Sequence, residues 1–181
     1  MLVRGWTPSA NARRSNWRLA SSRRELHVDA VITSRAARAE QTGRIVAEAL
    51  GTSVDETTCD LCEMHPGRAE GLTPEEMRET FGPTYAEVPG AEHWPDWLPG
   101  AATRLAERGR RHQGETILAF THYGVIKASF HAYGRMPAAT AETVTTGNTG
   151  ITEWTQPTDP TDPRHGIWCL CRHNDIGHLT G

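Results

Sequence analysis

The chain alternates short apolar runs with longer amphipathic stretches. Residues 28–33 form a β-branched run and predict a strand. Within residues 38–50 the apolar positions Ala39, Val46, Ala47 and Leu50 recur at helical spacing, and Gly51 closes the segment. Thr73-Pro74-Glu75-Glu76 predicts a helix start. Thr73 is a capping residue, Pro74 suits the first helical position, and Glu76 stands where a capping box needs it. Another helix is expected from about residue 99 to residue 111. Residues 116–121 are almost continuously apolar, as in a parallel strand covered on both faces. A helix over 125–133 follows, ended by Gly134. Two late strands, 150–155 and 166–172, flank a Pro- and Asp-rich turn region at 157–164.

This order of elements predicts an α/β fold of three layers, α/β/α. Its sheet is expected to be mostly parallel and doubly wound, with the ligand site at the carboxyl ends of the strands. No repeat or compositional break divides residues 1–181, so they read as one domain.

Composition narrows the function classes. With 181 residues, 37% of them hydrophobic, the chain is long enough to bury a sizeable core. A net charge of −3 argues against a dedicated nucleic-acid or membrane-surface binder. There is neither a bilayer-length apolar run nor an apolar leader segment, so the expected location is cytoplasmic. Five arginines surround Trp17 within residues 13–24. They read as a solvated face rather than a nucleic-acid patch. Cys59 and Cys62 form a CxxC, and Cys169 and Cys171 a CxC. Four thiolates suit tetrahedral zinc. Free or buried thiols are the plainer expectation, with no metal and no cofactor.

The candidate chemistry is that of a phosphate site. Arginine's planar fork matches a phosphoryl group with paired hydrogen bonds. Arg4 follows an apolar start, and Arg38 follows the strand at 28–33 through a short loop. His122 follows the strand at 116–121. All three are expected to converge on one sheet edge, where helix N-termini also favour an anion.

Several segments in order carry a family resemblance. Leu2-Val3-Arg4-Gly5-Trp6-Thr7 is similar to the "LVRHGxT" signature of the histidine phosphatase, or phosphoglycerate mutase-like, superfamily, with its histidine missing. Residues 33–42 resemble the block "SxxxRAxQT". Leu61, Glu63, Gly67, Glu70 and Gly71 resemble "LxExxxGxxEG". Pro89-Gly90-Ala91-Glu92, with Arg104 downstream, is similar to "PGGES…R", and Thr121-His122-Tyr123-Gly124-Val125-Ile126 to "SHGGVI". Asn174-Asp175 and His178-Leu179 resemble a terminal "ND…HL".

The resemblance implies a phosphomonoester hydrolase acting on a small phosphorylated metabolite. It makes Arg4 and Arg38 phosphate ligands, with Thr7 and Asn11 lining the first loop. It makes Glu63 the general acid and His122 the histidine that steadies the phosphoryl group. The family's nucleophile would stand just after Arg4, where Gly5 has no side chain. The region 1–34 also reads as shortened against the family pattern. Two alternatives follow. One is a catalytically silent relative that binds a phosphorylated ligand or a partner protein. The other is a repurposed non-phosphatase enzyme using Glu63 and His122 as acid and base.

Overall fold

The computed structural model describes residues 1–6 and 27–179. Six strands form one sheet: β1 (Leu2–Trp6), β2 (Ala30–Ser34), β3 (Glu56–Thr58), β4 (Thr116–Phe120), β5 (Ile151–Pro157) and β6 (Cys169–Asp175). Their spatial order is β3-β2-β4-β1-β5-β6. The strands β3, β2 and β4 are mutually parallel. β1 and β5 are parallel to each other, β1 runs antiparallel to β4, and β6 antiparallel to β5. The fold is thus α/β on a mixed sheet with a parallel three-strand part.

Helices cover both faces. They are α1 (Ala37–Ala49), α2 (Pro74–Phe81), α3 (Trp94–Arg111), α4 (Tyr123–Ala132) and the short α5 (Ala138–Ala141). α1 buries Ala39, Gly43 and Ala47 against the sheet. Gly43 permits the approach, because a Cβ there would collide with Thr33 and crowd Phe120. On the other face Trp97, Leu98 and Leu105 of α3 pack with Val125, Ala128 and Phe130 of α4 over Ile32, Ile117 and Ala119. This cluster is the main apolar core, and burial of this kind is the chief stabilising term.

Most elements match the sequence pattern. Thr73 caps α2, with the reciprocal Glu76 bond of a capping box and Pro74 in the first turn. α1 ends at Leu50 and Gly51, and Gly51 takes a left-handed φ of 72°. α3 begins earlier than expected, at Trp94, and Pro99 lies inside it. A proline there forfeits one backbone hydrogen bond. Burial of Trp94, Trp97 and Leu98, with the Trp94 Nε1–H donating to the Ala138 carbonyl, outweighs that loss. α4 begins two residues before the expected start because His122 takes the N-cap position. β3 was not foreseen, being three residues long.

One buried charge ties the layers together. Arg108 of α3 is 7% exposed and donates to both carboxylate oxygens of Glu56 (2.7 and 2.8 Å) and to Asp60 (2.8 Å). It holds α3 to β3 and to the turn after it. These bonds keep the Glu56 carboxyl below its ordinary value of 4.5. A depressed carboxyl stabilises the fold above its unfolded value, and that contribution is lost as pH falls through the folded one. Arg108→Ala is expected to cost about 2–3 kcal/mol in urea unfolding at neutral pH, less than a fully buried pair because Glu56 is partly solvated. The variant should also lose less further stability than the wild type below pH 4.5. Equal acid sensitivity in both proteins would remove this ion pair as the link.

Candidate active site

Three parallel strands deliver the candidate residues to one edge. β2 ends in Ser34 and leads into α1, which carries Arg38 in its first turn. β4 ends just before Thr121 and His122, and His122 starts α4. The turn after β3, residues Cys59–Leu61, leads directly to Cys62 and Glu63. This is where a ligand site was expected in such a sheet.

His122 is buried and has both ring nitrogens engaged. Arg38 Nη2 donates to Nδ1 at 2.9 Å. A guanidinium only donates, so Nδ1 is the acceptor and the proton sits on Nε2. Nε2 then donates to Ser34 Oγ at 2.7 Å. Ser34 is fully buried and also accepts from the Ala36 N–H (3.2 Å), while its own hydroxyl reaches Cys62 Sγ at 3.6 Å. Burial first, and the Arg38 charge second, push the His122 pKa down to about 4. The imidazole is therefore neutral at neutral pH.

Glu63 is held as firmly. Its Oε2 accepts the Gly124 N–H (2.8 Å) and its Oε1 the Met64 N–H (3.0 Å). Gly124 is required for this approach, because a Cβ would collide with the carboxylate. Nearby, Thr121 Oγ1 donates to the Leu61 carbonyl at 2.9 Å, joining the β4 end to the β3 turn. No side chain caps α1, so its N-terminus offers its positive end to this edge, whereas the Glu63 carboxylate already takes the Gly124 N–H in the first turn of α4.

Four expectations need correction. Arg4 lies inside β1, not after a strand, and its register partner is Thr116 at the start of β4. Because β1 opposes β4, Arg4 and His122 lie at opposite ends of the sheet, on the order of 20 Å apart at about 3.3 Å per residue. The expected convergence of Arg4 with Arg38 and His122 does not occur. His27 is exposed at that same far end and contacts Asp29, whose carboxylate accepts the Thr116 N–H. Cys59 and Cys62 are joined in a disulfide, the turn bringing their Cα atoms to 4.7 Å. They cannot share a metal with Cys169 and Cys171, since β3 and β6 are the two outer strands of the sheet. Thr7, Asn11 and the arginines of residues 13–24 lie outside the described residues.

The sequence reading missed Ser34 as a partner of His122, although Ser34 stood within the quoted block. A buried hydroxyl at a strand end, facing a histidine at the end of the neighbouring parallel strand, was the available signal. It also missed Gly124 as the residue that admits Glu63.

The profile of the histidine phosphatase superfamily (branch 1) matches residues 9–161. The chain belongs to this superfamily. The match includes Arg38, Glu63 and His122 but begins after Arg4 and Gly5. Among solved structures, the superfamily chain resembles Bacillus stearothermophilus YhfR, with a TM-score of 0.70 at 23% identity, over 85% of this chain and 77% of that one. It also resembles phosphoserine phosphatase from Entamoeba histolytica, solved with 3-phosphoglyceric acid, with a TM-score of 0.65 at 24% identity, over 84% and 76%. "Phosphoglycerate mutase-like protein 4" of Arabidopsis thaliana is 30% identical over 117 residues, covering 59% of this chain and 51% of that protein. The chain thus spans about half the length of that relative. Among the described residues no helix is long and apolar enough to cross a membrane.

The hydrogen-bond pattern predicts a definite titration. The folded His122 pKa near 4 lies below its ordinary 6.5, so stability should fall as pH drops from about 6.5 through about 4. NMR of the imidazole should show no midpoint between pH 5.5 and 8. Arg38→Ala removes one positive neighbour and should raise the midpoint, while burial keeps it below 6.5. A wild-type midpoint near 6.5 would refute the buried, doubly bonded ring.

Proposed function

We propose that this chain is a phosphomonoester hydrolase acting on a small phosphorylated metabolite. The observation that carries this reading is the Arg38–His122–Ser34 chain beside Glu63, at an edge faced by the uncapped N-terminus of α1. Arg38 is exposed and spends one donor on His122. Its remaining donors suit a phosphoryl oxygen. Helix N-termini add positive potential without needing a counter-charge. Such preorganised donors supply much of the catalysis in phosphoryl transfer. The printed names of relatives, a phosphoserine phosphatase and a phosphoglycerate mutase-like protein, agree with a small phosphorylated substrate.

In this reading Arg38 orients the phosphoryl group and His122, neutral, lies beside it. Water attacks phosphorus, the P–O bond to the alcohol breaks, Glu63 delivers its proton to the leaving oxygen, and the proton given up by the water passes to solvent, from which Glu63 is reprotonated. The setting is cytoplasmic and no cofactor is invoked.

A second reading is favoured by one observation. Both His122 nitrogens are already bonded, so no free imidazole lone pair faces a phosphorus atom. That suits a catalytically silent relative that binds a phosphorylated ligand and releases it unchanged.

Hydrolysis of a generic aryl phosphate by the purified chain separates the two. Turnover that disappears in His122→Ala supports the hydrolase. No turnover, with phosphate binding that Arg38→Ala weakens by about 1.5–3 kcal/mol, supports the binder. Turnover unaffected by His122→Ala would place any activity elsewhere. Phosphate affinity unchanged in Arg38→Ala would remove the anion site from both readings.

A further inference from the structure

A separate cavity of about 340 Å³ opens between the C-terminal ends of α3 and α4 and the β5–β6 hairpin. No residue of the Arg38–His122–Glu63 cluster lines it. Gln156, on its wall, pairs with Gly5 near the end of β5, and β1 and β5 run against β4. The cavity therefore lies at the sheet edge where β4 begins, away from His122.

Its walls combine a fixed aromatic surface with two cations. Trp168 rests on Tyr133, with ring centroids 4.4 Å apart and planes tilted by 31°. Its ring edge lies against Gly109 of α3, where a Cβ would stand 2.8 Å from it. Tyr133 is anchored in turn, its hydroxyl donating to the Leu105 carbonyl at 2.9 Å. The wall is thus rigid before any ligand arrives, which reduces the ordering cost of binding. Arg110 and Arg135 also line the cavity, and neither has an ion-pair partner among the described residues. Arg135 holds a left-handed φ of 54°, unusual for a residue with a side chain. Gln156 braces the hairpin, its amide donating to the Gly166 carbonyl at 2.9 Å.

The geometry points to a second ligand site, for a small anion carrying a planar ring, of the mononucleotide kind. The volume falls at the lower end of the range for small-molecule pockets, roughly 300–1,000 Å³. Guanidinium groups on the wall suit phosphate oxygens, and the half-buried indole of Trp168 suits a flat ring. A bare inorganic anion would leave the aromatic wall unused, and a neutral nucleoside would leave both arginines unused. The site does not depend on the hydrolase reading, since none of its residues takes part in that chemistry.

Calorimetric titration with adenosine 5′-monophosphate tests it, on the whole chain and three variants. Arg110→Glu/Arg135→Glu should weaken binding at least tenfold. Trp168→Leu, which keeps both charges, should weaken it severalfold. Arg38→Ala should leave it within twofold, because a phosphomonoester held at the His122 edge would be lost there instead. Thermal melts establish that each variant is folded, and Arg110 and Arg135 are exposed enough to be replaced without opening the core. Adenosine and inorganic phosphate should each bind at least tenfold more weakly than the nucleotide. No binding to the wild type, binding unchanged in the double arginine variant, or binding weakened by Arg38→Ala would each overturn the assignment. Equal affinity for adenosine would overturn it as well.

Discussion

Parallel pairing of β2 with β3 and β4 is the constraint on which the candidate site depends. Parallel strands all end on the same edge, so each return crossing must start there. Ser34 ends β2, the turn from Cys59 to Glu63 follows β3, and His122 lies two residues past β4. None of them is near another in sequence. Their hydrogen bonds, from Arg38 through His122 to Ser34 and from Glu63 to Gly124, exist because the register of the three strands is fixed. Arg108 helps to fix it from outside the site, by pinning β3 and its turn to α3.

Much of this was legible in the sequence where a local signal and a tertiary requirement agree. Thr73 and Glu76 read as a cap and form one, because both partners lie within a single turn. Residues 116–121 read as a buried strand, and β4 is central in the sheet. Arg38, Glu63 and His122 stand at element boundaries that periodicity locates to within a few residues. The start of α3 was not legible, because Pro99 is a local stop signal overruled by burial of two tryptophans. β3 was not legible because a three-residue strand carries no period. The Cys59–Cys62 bond depends on how the turn folds, which spacing alone leaves open.

Strand direction is the property that sequence pattern conveys least. An apolar start followed by arginine reads the same whether the strand runs with its neighbour or against it. Here β1 opposes β4 and accompanies β5. The backbone after Arg4 continues toward Pro157, at the end of the sheet where β4 begins. A histidine added after Arg4 would not reach His122 while this pairing holds.

Among the described residues, the His122 edge presents donors suited to an anion. The donors are the Arg38 fork and the uncapped N-terminus of α1, and the imidazole beside them is neutral. A neutral ring flanked by a fixed cation leaves the local field positive without adding a second charge to be desolvated. Such an edge attracts an anion whether or not it goes on to cleave it. The structural features that determine binding, and those that would determine turnover, thus separate on Glu63. Its carboxylate takes no part in attracting the anion, and it is held within reach of this edge by Gly124 and Met64 N–H groups alone. Those bonds cap the first turn of α4, a structural use that a pure binding site would share, although a negative charge next to a phosphate is unfavourable. Glu63 therefore caps α4 in either reading, and only proton transfer to a leaving oxygen would draw further on its carboxyl.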